Sequence, residues 1–79
     1  MIRVTVEFVG PVRRPTALRR LTLELDEPPE VSALLARLGY TPVERPRLTV
    51  LVDGTSPGTG ATIPDGARVE ILLPVGGGR

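Results

Sequence analysis

One short segment with helical spacing, set between two pairs of alternating segments, constrains the fold of this chain most strongly. Its apolar residues recur at the positions that share one helix face: Val31, Leu34, Leu35 and Leu38. This spacing predicts a helix with a single apolar stripe. Pro28 and Pro29 precede the segment and Gly39 follows it, as suits the first turn and the end of a helix. A single helix must bury its stripe against another layer, which here can only be a sheet.

Four other segments alternate with the period of two that is typical of half-buried strands. Residues 2–9 and 18–26 precede the helix, and residues 48–52 and 68–73 follow it. Gly10-Pro11 separates the first two segments, which predicts an antiparallel hairpin. The helical crossover then allows the first and last strands to be parallel neighbours at the centre of the sheet. The sequence therefore predicts an α+β, β-grasp (ubiquitin-like) fold, in which a mixed four- to five-stranded sheet packs on one main helix.

The apolar faces of these elements predict the core. We expect the following residues to be buried together: Val4, Val6, Leu23, Val31, Leu34, Leu35, Leu38, Val50, Val69 and Ile71. Residues 42–46 are predicted to form a loop, and residues 55–62 a surface loop that Ile63 anchors to the core. An extra short strand or 3₁₀ turn is expected around residues 61–63. Residues 56–60 lack the Gly-Lys-Ser/Thr ending of a P-loop, so no phosphate cradle is predicted there.

The composition excludes several classes of function. The chain has no cysteine and no histidine, which removes a thiolate metal site, the commonest metal ligand and the commonest general base. No apolar run reaches the roughly 18–20 residues of a membrane span, and the N-terminus lacks the layout of a signal peptide. We therefore expect a cytoplasmic protein that needs no cofactor or metal and has no membrane partner. The lack of lysine, asparagine and glutamine is typical of a heat-adapted or high-GC source.

Nucleic-acid binding rests only on four arginines that are close in sequence: Arg13, Arg14, Arg19 and Arg20. The net charge of the chain is +1, and its two aromatic residues are too few for a base-stacking platform. We interpret these arginines as a solvated face, and no nucleic-acid partner is predicted.

The chain ends in a strand, a proline and three glycines. Pro74 has no N–H to donate and ends the last strand. Val75, the glycine run 76–78 and Arg79 follow it. The sequence predicts a domain at residues 1–74 and a flexible Gly-rich tail at residues 75–79, which can extend roughly 17 Å.

Three segments resemble the small ubiquitin-like sulfur carriers of the MoaD/ThiS group. They are the helix Glu30-Val-Ser-Ala-Leu-Leu-Ala-Arg-Leu-Gly39, the turn Leu51-Val-Asp-Gly54 and the closing segment 63–78 with its Gly-Gly-Gly ending. The resemblance covers nearly the whole chain in order, and the closing segment is its most specific part. What it implies is a carrier and not an enzyme. In that family the C-terminal glycine carboxylate is adenylated with ATP by a ubiquitin-activating-type enzyme and is then converted to a thiocarboxylate.

Carried onto this chain, the resemblance implies that Gly78 is the working terminus and that Gly77 and Gly76 lead to it. It implies an adenylating enzyme, a sulfur donor and a sulfur-accepting enzyme as partners. The sulfur would serve molybdopterin, thiamine, tRNA thiolation or a cysteine-type pathway. Some relatives are also joined to lysines of other proteins, so a ubiquitin-like modifier is an alternative.

Arg79 departs from the family pattern, because carriers act through a terminal glycine. Three explanations are open. A processing protease removes Arg79, Arg79 is foreign to the natural chain, or the protein is a β-grasp interaction module without carrier activity.

A docking surface is predicted beside the tail. Leu51 and Leu72 are expected on the outward faces of neighbouring strands, where Pro74 and Val75 would extend them into an apolar patch. The alternative is scattered surface leucines, which are common.

Overall fold

The computed structural model describes residues 1–15 and 17–73, and its elements follow the predicted order. They are strand β1 (Ile2–Val9), strand β2 (Arg20–Leu25), helix α1 (Val31–Arg37), a 3₁₀ helix (Arg45–Arg47), strand β3 (Thr49–Val52) and strand β4 (Arg68–Leu72). The 3₁₀ helix is a correction, since it begins inside the loop predicted at residues 42–46. Pro46 lies in its first turn, where the fixed φ of proline suits a helical start.

The strand order in the sheet is β2-β1-β4-β3. β1 pairs antiparallel with β2 and parallel with β4, and β3 pairs antiparallel with β4. These pairings confirm both the predicted hairpin and the central parallel pair. β4 is therefore an inner strand, with a hydrogen-bonded neighbour on each side.

Most of the predicted core is buried, with two exceptions. Leu23 and Leu38 are only partly buried and pack against the core. Leu23 lies on the edge strand β2, and Leu38 lies just beyond the last turn of α1, so each keeps one side open to solvent. Further buried residues complete the core: Phe8, Val12, Leu25, Tyr40, Val52, Ile63 and Ala67. Ile63 is fully buried, which confirms that it anchors the preceding loop.

Backbone groups of the long loop satisfy the start of α1. Glu30 makes no side-chain cap hydrogen bond. Instead, the N–H of Val31 donates to the carbonyl of Ala61 and that of Ser32 to the carbonyl of Thr59, both at 3.0 Å. Thr62 forms only an isolated bridge with Glu30, so the extra strand expected at residues 61–63 is reduced to this single bridge in the described part of the chain.

Gly39 ends the helix with a φ of +98°, in the left-handed region that favours glycine. The chain then turns so that the N–H of Tyr40 donates to the carbonyl of Leu35, which places the Tyr40 ring in the core. Within the described ranges, no helix is long and apolar enough to cross a membrane.

Candidate functional site

The candidate site lies at the end of the sheet where β4 finishes, which we call the tail end. Leu72 is the last residue of β4 and pairs with Val9, the last residue of β1, and with Thr49, the first residue of β3. Leu73 is the last residue that the structure describes, and it packs against the core. The predicted site residues Pro74, Val75, Gly76, Gly77 and Gly78 lie outside the described residues.

The two predicted docking leucines lie on the same face of the sheet, away from the helix. Leu51 is opposite Glu70, so it is a diagonal neighbour of Leu72, at about 7–8 Å for such pairs. Both leucines are partly buried, and Val9 beside Leu72 is 37% exposed. We call Val9, Leu51 and Leu72 the apolar patch. Val9 was not among the predicted docking residues. Its signal was visible in the sequence, because it is apolar at an outward position of β1 where Glu7 precedes it.

A charged network borders this patch on the side away from the tail. One oxygen of the Glu7 carboxylate lies 2.9 Å from Arg68 and 3.6 Å from Arg20, and Arg68 also approaches Glu70 at 3.7 Å. The hydrogen bond from Arg68 lowers the pKa of Glu7 below its usual range. An apolar centre with a polar border is typical of protein interfaces. Exposed ion pairs of this kind contribute little stability, so their effect is to limit the extent of the apolar patch.

A cleft of about 150 Å³ opens on the other side of Leu73. Its apolar lining comes from Val12, Tyr40, Leu48 and Leu73, and its charged lining from Arg13, Glu44 and Arg47. The cleft therefore lies next to the point where the tail begins.

Arg13 joins two loops at this cleft. Its guanidinium donates to both oxygens of Glu44, from Nε at 2.6 Å and from Nη2 at 2.8 Å, and also to the carbonyl of Gly39 at 3.1 Å. The same guanidinium lies 5.1 Å from the centre of the Tyr40 ring, and the Tyr40 hydroxyl donates to the Arg13 carbonyl at 2.5 Å. A bidentate pair with a stacked ring fixes geometry better than a single contact. Arg13 thus holds the loop after β1 against the loop after α1.

The ionisation of this group follows from its contacts. The hydrogen bond from Arg13, with a second from the backbone N–H of Thr41, lowers the pKa of Glu44 to about 2. The hydrogen bond to Glu44 raises the pKa of Arg13, and burial raises the pKa of Tyr40. The pair is therefore charged throughout the physiological range of pH. In the sequence Arg13 was interpreted as part of a solvated face. It is half-exposed, but its partners show that it has a structural role.

The site provides surfaces for binding a partner. Among the described residues, no group of three or more histidine, cysteine, aspartate or glutamate side chains is arranged to hold a metal ion.

Comparison with protein families assigns this arrangement to one of them. The model of the ThiS family matches residues 6–78, which is nearly the whole chain. The chain belongs to the ThiS family. This confirms its resemblance to the MoaD/ThiS group of small ubiquitin-like sulfur carriers. No match among curated protein sequences reaches significance.

Solved structures confirm the β-grasp fold. A protein described as subunit 1 of molybdopterin converting factor from Pyrococcus furiosus has a TM-score of 0.75 and 20% identity, covering 95% of this chain and 100% of that one. Urm1 from Trypanosoma brucei has a TM-score of 0.71 and 25% identity, covering 96% of this chain and 95% of that one. A chain of the complex between subunits 1 and 2 of molybdopterin-converting factor from Helicobacter pylori has a TM-score of 0.65 and 18% identity, covering 98% and 100%.

Proposed function

We propose that this protein is a sulfur carrier that is activated at Gly78 after Arg79 has been removed. The observation that carries this proposal is where the family match ends. The matched residues run through β4 and all three glycines and stop at Gly78, so that Arg79 alone lies beyond them at this end of the chain.

The position of β4 suits a carrier. β4 is an inner strand held by β1 on one side and β3 on the other, so the residue that begins the tail has a fixed position. Five residues from Pro74 to Gly78 extend roughly 17 Å at ~3.3–3.6 Å each. Glycines have no β-carbon and pass through a narrow channel that would reject larger residues. A partner can therefore reach the terminal carboxylate while the folded body stays outside its active site.

The proposed chemistry takes place in partner enzymes. A carboxylate oxygen of Gly78 attacks the α-phosphorus of ATP and pyrophosphate leaves, which gives an acyl adenylate. A sulfur nucleophile from the sulfur donor then attacks the carbonyl carbon and displaces AMP, and the resulting thiocarboxylate passes sulfur to an accepting enzyme. The chain supplies the reacting carboxylate and the surface that places it, which makes it a substrate protein and not a catalyst.

The mass of the protein isolated from its native cells tests this proposal. We expect a species lighter by one arginine residue, part of it heavier by the difference between a sulfur and an oxygen atom. Treatment with an alkylating agent should modify only the heavier form, because the chain has no cysteine. A population consisting only of the full chain ending in Arg79 would favour an interaction module without carrier activity. Attachment of the terminal glycine to lysines of other proteins would show a ubiquitin-like modifier.

We also propose that the apolar patch, extended by Pro74 and Val75, docks the adenylating enzyme. Replacing Leu72 with glutamate places a charge at the centre of this patch. We expect the L72E chain to bind that enzyme at least tenfold more weakly, about 1.4 kcal/mol, in titration calorimetry. The melting temperature should change little, because Leu72 lies on the outward face of β4.

The matched control is Thr22→Glu. Thr22 is exposed on the same outward face but on β2, two strands away from β4. It therefore adds the same charge to the same side of the sheet outside the patch, and binding should be unchanged. Equal affinities of the L72E and T22E chains would remove the patch from the docking surface.

A further inference from the structure

The near-zero net charge of this chain conceals a separation of its charges. Four arginines of the described residues form ion pairs: Arg3, Arg13, Arg20 and Arg68. Five others have no ion pair with a described residue: Arg14, Arg19, Arg37, Arg45 and Arg47. All of these except Arg37 lie at the tail end.

Two of them follow β1 at this end. The carbonyl of Arg19 accepts a hydrogen bond from the N–H of Phe8 at 2.9 Å, next to the last residue of β1. Arg14 directly follows Arg13, whose guanidinium lines the cleft beside Leu73.

The other two precede β3. Arg47 lines the cleft of Leu73, and Arg45 lines an adjoining cleft of about 130 Å³. Leu48 belongs to both clefts, which makes them neighbours. We call Arg14, Arg19, Arg45 and Arg47 the arginine rim.

Unpaired carboxylates lie away from this rim. Asp26 and Glu27 follow β2 at the opposite end of the sheet, and Glu30 precedes α1. These three residues share a groove with Arg37. At the tail end, the nearby carboxylates of Glu7 and Glu44 are already paired with arginines. One end of the molecule is therefore positive around the start of the tail.

Arg45 shows what this end lacks. Its Nε atom is buried and has no hydrogen-bond partner among the described residues. A buried N–H group without an acceptor is rare and calls for one from outside the chain. The cleft beside it is also lined by Thr49, Ser56 and Thr59, whose hydroxyl groups can donate to an anion. A carboxylate entering this cleft would meet a cation and several donors.

We propose that the arginine rim docks an acidic protein surface, the one around the channel that receives the tail, and that the Arg45 cleft accepts one carboxylate of that surface. This rests on the proposed function, because it assumes that the tail enters a partner. Opposite charges around a channel speed the encounter of two proteins and orient it. Here the rim directs the molecule so that its tail arrives first.

Two other occupants fit the geometry less well. RNA recognition uses exposed aromatic rings, whereas Phe8 and Tyr40 are the only aromatic residues and both are buried. A second copy could place its acidic end on the rim, but such head-to-tail contacts do not close and would form open chains.

Single charge reversals test the rim. Arg14→Glu and Arg47→Glu each change the net charge as much as Arg37→Glu does, but Arg37 lies outside the rim. We would measure association of the chain ending at Gly78 with the adenylating enzyme of the source cells by stopped flow. At low ionic strength, each rim variant should associate about tenfold more slowly than the wild type, and R37E less than about twofold more slowly. The differences should shrink at about 0.5 M salt, where the Debye length falls to roughly 4 Å.

Arg45→Met tests the carboxylate cleft separately. The substitution keeps the length of the apolar stem and removes the unpaired N–H, so thermal stability should be equal or higher. Dissociation from the enzyme should nevertheless become about tenfold faster, because a buried charge contact acts mainly on the dissociation rate. Unchanged dissociation would show that no carboxylate occupies the cleft.

The remaining outcomes separate this proposal from the proposed function. Equal association rates for R14E, R47E and R37E would overturn the rim while adenylation of the wild-type chain still stood. Absence of adenylation in the wild-type chain ending at Gly78 would overturn the proposed function and the rim with it. Binding of a labelled tRNA in fluorescence anisotropy, lost in R14E and R47E, would replace the acidic protein with RNA. Self-association in ultracentrifugation that the rim variants abolish would replace it with a second copy.

Discussion

A chain ending at Gly78 is expected to exchange pyrophosphate into ATP with its adenylating enzyme, whereas the chain ending at Arg79 is not. The added residue moves the carboxylate by about 3.5 Å along the tail. A displacement of even ~1 Å from the reactive geometry can cost on the order of a hundredfold in rate. The guanidinium and its stem must also pass through a channel suited to glycine. The expected loss in the full-length chain is therefore more than a hundredfold.

The controls for this experiment separate geometry from folding. Both chains should have the same melting temperature, since the core lies within residues 4–71. Gly77→Ala in the chain ending at Gly78 should slow the exchange, because it adds a β-carbon and makes positive φ unfavourable. Activation of the full-length chain at the same rate would show that Arg79 belongs to the working end. If neither chain is activated by any such enzyme of the source cells, the interaction module becomes the better account.

The second large effect is on stability. Leu35→Ala should lower the free energy of unfolding by about 2–5 kcal/mol, the range for a buried leucine. The Leu35 side chain is 1% exposed and lies on the face of α1 that packs against the sheet. A domain of this size is stabilised by only about 4–12 kcal/mol in total, so the loss is a large share of it.

Urea unfolding of two matched variants measures this effect. Leu18→Ala makes the same chemical change at a side chain that is 58% exposed, and its effect should stay within about 0.5 kcal/mol. A loss below ~1 kcal/mol for L35A would contradict the position of the helix on the sheet. With both leucines measured, a general effect of alanine on the unfolded chain would also be visible.

The order of elements and the fold class were determined by the sequence, because they follow from local periods. The helical spacing of residues 31–38 and the alternation of the four strand segments are properties of neighbouring residues. Gly39 marked the end of the helix for an equally local reason, since a residue with positive φ favours glycine. The glycine run led to the family for the same reason, since its meaning lies in adjacent residues. Boundaries were less determined, as the 3₁₀ helix at Arg45–Arg47 shows.

Contacts between distant segments were decided only by the tertiary structure. The sequence placed Val9 on the outward face of β1. Only the pairing of β1 with β4, and of β4 with β3, puts it beside Leu72 and near Leu51. In the same way Arg13 meets Glu44 across 31 positions of the chain.

The charge distribution shows the same limit most clearly. A net charge of +1 predicts no strong field, and it is correct for the chain as a whole. Folding nevertheless brings the loop after β1 and the segment before β3 to one end of the sheet, and the arginine rim with them. Composition sums charges and is blind to their positions. The strand order sets those positions, because it decides which loops share an end of the molecule.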